Sequence, residues 1–305
     1  MYRSCNLKPA MGNVSIVSCS ASTTTLSSAS EVSALAECST FSGSVVAIAD
    51  GVADDDGSIA LDGVDVLEGS LNITAVSSLS RLSSNSLRRI DGILELSSLE
   101  GLTAVSFPAL LEVGEIRYTN LTRLTDLNFK NGLPTTESIS ISNTALRFLR
   151  STTSVEQAKD IVIENNTNLQ DIAISVDKIL NDLRIADNGK NLSLSLPTLQ
   201  WTSTTTIDGC TSVNMPELVT LNTSGLFINN TVRELSLPKL QKCGDSINSF
   251  LSFSLNNELR DLSLPQLEDI VGSLTTFDNY DLDLLSFPAL RNIEGSISFH
   301  GNFSE

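Results

Sequence analysis

Apolar residues along this chain alternate in short pieces instead of recurring at helical spacing. Between Leu259 and Leu274 they stand at Leu259, Leu262, Leu264, Leu267, Ile270 and Leu274, spaced 3, 2, 3, 3 and 4. Period-two pieces separated by corners predict short strands, and no piece holds a helical period for long. The phrase then returns. LSLPQLEDIVGSL, residues 262–274, comes back as LSFPALRNIEGSI, residues 285–297.

The same proline phrase occurs as VSFPAL at Pro108, LSLPTL at Pro197 and LSLPKL at Pro238, with a looser copy, VNMPEL, at Pro216. From Pro197 onward the copies follow at nearly even steps, the shortest from Pro197 to Pro216 and the longest from Pro238 to Pro265. The interval from Pro108 to Pro197 holds four such steps. LTDLNFKNGL, residues 124–133, fits the phrase with Lys130 in the proline place. A second marker keeps the same register. Nine residues before Pro197, Pro238, Pro265 and Pro288 stand Asn188, Asn229, Asn256 and Asn279. Asn143 and Asn166 extend this ladder upward, Asn120 does so approximately, Asn302 extends it downward, and Ile207 interrupts it. A third marker is an apolar-x-Gly-x-apolar box at Gly43, Gly69 and Gly295, with variants at Gly92 and Gly272. Three markers in one register define roughly a dozen turns of about 23 residues.

Such turns predict a mainly β fold, a right-handed, leucine-rich-repeat-like parallel β-solenoid. Each strand pairs with its counterpart one turn on, about 4.8 Å along the axis, and no turn buries its leucines alone. Proline, which fixes φ and donates no hydrogen bond, suits a corner. Asparagine tolerates the left-handed region, and its amide can satisfy corner groups of adjacent turns. A structural role is therefore expected for Asn143, Asn166, Asn188, Asn229, Asn256, Asn279 and Asn302. Residues 1–18 are expected to be a disordered extension. Residues 19–160 form a first solenoid half with its cap, and residues 161–305 a second half, continuous with the first and unfinished.

Composition narrows the partners. Apolar residues are 41% of the chain and charged residues only 18%, with a net charge of -17. That surface repels nucleic acid and anionic lipid, which need clustered lysine and arginine. No run of about 18 apolar residues is present to span a bilayer.

CSASTTTLSSASEVSALAECSTFSGSVVAI, residues 19–48, resembles the opening of the fungal cell-wall-organising, GPI-anchored glycoproteins related to sporulation-specific surface proteins, whose solenoid is of the receptor L-domain type. LDGVDVLEGSLNI, residues 61–73, and the proline phrases fit the same family, so that the resemblance covers residues 19–305. It implies a Ser/Thr-rich strand, a short acidic-apolar helix, secretion, N-glycosylation, a lipid anchor and a non-enzymatic role in wall organisation. The expected location is the cell wall or outer membrane surface. The expected partners are wall polysaccharide or surface proteins, with membrane reached only through a lipid anchor this chain does not encode. The first residues lack the apolar core of a signal peptide, and FHGNFSE ends the chain without a Ser/Thr-rich stalk or apolar tail. An incomplete copy of a longer exported protein is the expectation, with a divergent member that is not exported as the alternative.

Within that frame Cys19 and Cys38 are expected to form a disulfide pinning the cap, since an end turn has a neighbour on one side only. A reduced buried pair is the alternative. Cys210 and Cys243 both fall on inward positions about half a turn apart, and a bridge between them stays open; Cys5 has no assigned partner. Of eight N-x-Ser/Thr sequons, at Asn13, Asn72, Asn120, Asn165, Asn191, Asn222, Asn229 and Asn302, the glycan candidates are Asn72, Asn165, Asn191 and Asn222.

Catalytic chemistry finds little support. Asp54, Asp55 and Asp56 precede Gly57 and read as a solvated turn without calcium-loop spacing. Asp278, Asp281 and Asp283 spread around a corner. His300 is the single histidine, which excludes most histidine triads and zinc sites. Trp201 is a lone aromatic on which a sugar could stack. No catalytic residue, metal ligand or cofactor site is assigned. The alternatives to a wall protein are a receptor-type ligand-binding module and a carbohydrate-active β-helix enzyme, for which Asp278 and Asp281 would be the carboxylates.

Overall fold

The structure is a computed structural model that describes residues 18–130, 132–151, 154–228 and 232–301. The alternating pieces close into a parallel β-solenoid of about 12 turns, with about 23 residues in each. Leu96, Tyr118, Ile141, Ile163, Ile185, Ile207, Phe227 and Phe253 stack in one inward column, each paired with its neighbour in the next turn. All eight are buried, and Phe227 lies flat against Phe253 with ring centroids 5.0 Å apart. Burying each such side chain is worth about 2 kcal/mol, and only the next turn supplies the cover.

Among the described residues, seventeen strands form one large sheet. Its long members, such as Glu112–Leu121, Thr135–Thr144, Val155–Glu164 and Val176–Ala186, cross two faces of the solenoid. The bend between those faces is built from bulges and glycines. Register slips there between Ala158 and Asp160 and between Ile179 and Asp182. Gly43 takes φ +137°, and a Cβ on it would meet the Ala21 carbonyl oxygen at 1.6 Å. The apolar-x-Gly-x-apolar box is thus the bend itself. The third face consists of short strands in sheets of four, five and two.

Both remaining corners explain their sequence markers. After the third-face strands that carry it, the proline phrase closes a turn, as in Leu110 N–H to Phe107 C=O at 3.1 Å and Leu290 N–H to Phe287 C=O at 3.1 Å. Proline holds the second place, where its fixed φ fits and no N–H is needed. The opposite corner carries a left-handed residue in successive turns: Ala75, Ser98, Asn120, Asn143, Asn165, Asp187, Leu255 and Asp278 have φ between 52° and 61°.

The first turn is capped. Strand Ser20–Leu26 pairs with Thr40–Ala47, and helix Ala29–Leu35 turns Val32 and Leu35 into the core. Cys19 and Cys38 are bonded, with Cα atoms 5.5 Å apart. Residues 1–17, including Cys5 and the Asn13 sequon, lie outside the described residues, as do Asn229 and Asn302.

Candidate functional site

The asparagine ladder resolves into two adjacent columns. Asn166 is fully buried. Its Nδ2 donates to the carbonyl oxygens of Ile141 (3.0 Å) and Glu164 (2.9 Å) and to Asn188 Oδ1 (3.1 Å), while its Oδ1 accepts from Thr144 N–H at 3.0 Å and Thr144 Oγ1 at 2.7 Å. Asn188 Nδ2 reaches Ile163 C=O at 2.8 Å. Asn256 reaches Phe227 C=O at 3.1 Å, and Asn279 reaches Phe253 C=O at 2.9 Å. These four amides stitch turn to turn from inside, which is a structural task. Asn143 does not share it. It sits one residue earlier, in the exposed left-handed column, and donates to Asn120 Oδ1 at 2.8 Å. The buried place in its turn is Thr144. Sequence spacing missed this because the corner after Thr144 is one residue shorter than those after Leu121 and Asn166. The interruption at Ile207 has the same kind of cause: Gly209, at φ +75°, makes that corner alone between strands Trp201–Asp208 and Cys210–Asn214. That also accounts for the short step between Pro197 and Pro216.

Cys210 and Cys243 are buried thiols and do not bridge. Cys210 lies in a third-face strand, whereas Cys243 lies in the large sheet. Burial pushes both thiols up to about 12, so neither is a nucleophile at neutral pH. Among the glycan candidates, Asn165 and Asn191 are exposed at the asparagine corner, while Asn72 and Asn222 are half-buried within strands.

The acidic candidates do not converge. Asp54, Asp55 and Asp56 are exposed in a turn in which Asp56 Oδ1 accepts from Ser58 N–H at 3.0 Å and Ser58 Oγ at 2.7 Å. Asp281 and Asp283 are exposed, and Asp278 holds the corner's left-handed place. Trp201 is half-buried in its strand. Along the bend of the large sheet, a groove of about 630 Å³ is lined by Asp91, Glu115, Glu137 and Asp160 among others. Its carboxylates are largely engaged: Arg117 pairs with Glu115 at 2.6 Å, Lys159 with Glu137 at 2.7 Å, and Asn181 Nδ2 donates to Asp160 at 3.3 Å. No group of three or more metal-ligating side chains occurs among the described residues.

A different cleft, of about 550 Å³, opens where the corner is short. Ala145 lies at its floor, and Arg147, Gln170 and Lys190 border it with Thr167, Asn168 and Asn191. The sequence carries no marker for it, since no proline phrase falls between Pro108 and Pro197 to reveal a one-residue deletion.

Comparison with known proteins places this scaffold. The cell surface GPI-anchored protein ECM33 of Candida albicans is 29% identical over 233 residues, 76% of this chain and 55% of that protein. Sporulation-specific protein 2 of Saccharomyces cerevisiae is 30% identical over 240 residues, 78% of this chain and 47% of that protein. Protein ecm33 of Aspergillus fumigatus is 30% identical over 226 residues, 74% of this chain and 56% of that protein. About three quarters of the chain is homologous to these fungal cell-surface proteins. It spans about half the length of the curated relatives it matches. No family model matches it, and no solved structure matches it. Within the family frame, the capping disulfide and the exposed sequon corner are the features suited to life outside the cell.

Proposed function

We propose that this chain is the solenoid part of a non-enzymatic glycoprotein of the fungal cell surface that supports cell wall organisation. The observation that carries this reading is the kinship with proteins named for the cell surface and cell wall. A rigid, disulfide-capped solenoid without convergent catalytic groups among the described residues supports it. A scaffold of this kind acts by presenting long faces to wall polysaccharide or to other surface proteins. A GPI anchor, for which its Candida albicans relative is named, would hold it at that surface. Cys19, Cys38 and the glycan acceptor Asn165 would serve stability and solubility outside the cell.

The test is deletion of the full-length gene in the source fungus, with a tagged copy returned. The expected outcome is tag in the wall or surface fraction and hypersensitivity to wall-perturbing dyes on deletion. Wild type and an Asp278→Ala/Asp281→Ala variant should restore resistance equally. Retention inside the cell would sink the placement, and failure of the carboxylate variant alone would favour an enzyme.

A further inference from the structure

We infer that the cleft at the shortened corner is a binding site for an anionic sugar, one carrying a phosphate or a carboxylate. This rests on the surface placement proposed above. The corner from Thr144 to Arg147 lacks one residue present in the turns before and after it, which opens the depression over Ala145. Its volume, about 550 Å³, lies in the range of small-ligand sites.

Its electrostatics run against the rest of the molecule. The chain carries a net charge of -17. Most of its described ion pairs bind an arginine or lysine to a carboxylate of a neighbouring turn, as Arg150 binds Asp171 at 2.6 Å and Lys239 binds Glu217 at 2.6 Å. Arg147 and Lys190 have no such partner among the described residues, and no carboxylate lines the cleft. Arg147 is held in place nonetheless. Its guanidinium donates to Gln170 Oε1 at 3.2 Å and lies 5.5 Å from the centre of the exposed Phe148 ring, and the Arg150 guanidinium lies 5.1 Å from the same centre. A fixed guanidinium offers a fork to a phosphate or carboxylate, and Lys190 adds a mobile ammonium from the next corner but one. Thr167, Asn168 and Asn191 supply the hydroxyl and amide groups that sugar hydroxyls need. With no carboxylate in the lining, Arg147 and Lys190 set a local positive field in a chain of net charge -17.

The test is calorimetric titration of the purified chain carrying Ser193→Ala, which removes the sequon at Asn191 and keeps its amide, because a glycan there would occupy the cleft. The probes are a short neutral oligosaccharide, the same oligosaccharide carrying one phosphate monoester, and an oligouronide of equal length. Expected is binding of one or both anionic probes, weakened by added salt. At least a tenfold loss is expected in Arg147→Gln/Lys190→Gln and none in Lys239→Gln. Which anionic probe binds distinguishes phosphate from carboxylate recognition. Equal binding of the neutral probe, no binding of any probe, or full affinity in the double variant with an unchanged strand spectrum and melting point would overturn the site. None of these results bears on whether the protein resides at the cell surface, which the localisation experiment decides separately.

Discussion

At the scale of single residues, position within a corner outweighs residue type. Asn166 and Asn143 lie one repeat apart, yet one is sealed in the core and the other faces solvent. Asn166→Ala would leave the Thr144 amide and the carbonyl groups of Ile141 and Glu164 without their buried partner. It is expected to cost about 3 kcal/mol in denaturant unfolding, because unmet buried groups carry the full desolvation penalty. Asn143→Gly keeps the positive φ and loses one exposed bond, so it should cost less than about 1 kcal/mol. Equal losses would contradict the two-column ladder. Asp182 provides a test in pH. Burial lifts its carboxyl above the ordinary 3.8 against the pull of Arg184, with Asp160 and Glu164 adding to the rise. A carboxylate raised in the folded state costs stability once ionised, fully above its folded pKa and not at all below its unfolded one. Asp182→Asn should therefore raise the melting point at neutral pH, and the gain should vanish below pH 3.8.

At the scale of the element, the first turn shows how a solenoid end is closed. Helix Ala29–Leu35 is too short to stand alone, and its Val32 and Leu35 are held over the core by the Cys19–Cys38 bond. Replacing both cysteines by serine is expected to remove about 3 kcal/mol by the chain-entropy estimate for a loop of this size. The denaturant midpoint should fall accordingly, and reductant should lower wild type to the same value. A reductant-insensitive midpoint would deny the bond. The helix was legible only through family resemblance, since so short a segment carries too little periodicity to declare itself. The strands were legible directly, because their inward columns repeat in every turn.

At the scale of the whole molecule, stability passes from turn to turn. The middle strands Glu112–Leu121, Thr135–Thr144, Val155–Glu164 and Val176–Ala186 are paired on both sides. Toward the last turns Leu285, Phe287, Leu290 and Ile293 are only partly buried. Hydrogen exchange read by mass spectrometry should show protection highest in the middle strands and lowest at Asn292–Ile293 and Ile297–Gly301, as nearest-neighbour stacking requires. Uniform protection along the chain would contradict that picture.

The repeat itself, its length, the parallel strands and the corner role of proline were determined by sequence. Each follows from a pattern that every turn restates, and repetition averages out local exceptions. What only the tertiary structure decided lies where a turn departs from the pattern. The deletion after Thr144 moved Asn143 out of the buried column and opened the cleft beneath Arg147. The single Gly209 corner removed an asparagine and put Cys210 in a different sheet from Cys243. Which cations found carboxylates and which did not was likewise decided across turns. Such contacts depend on groups a full turn apart in sequence coming within hydrogen-bonding distance, and a one-residue change in a corner sets that registry without altering the hydrophobic pattern.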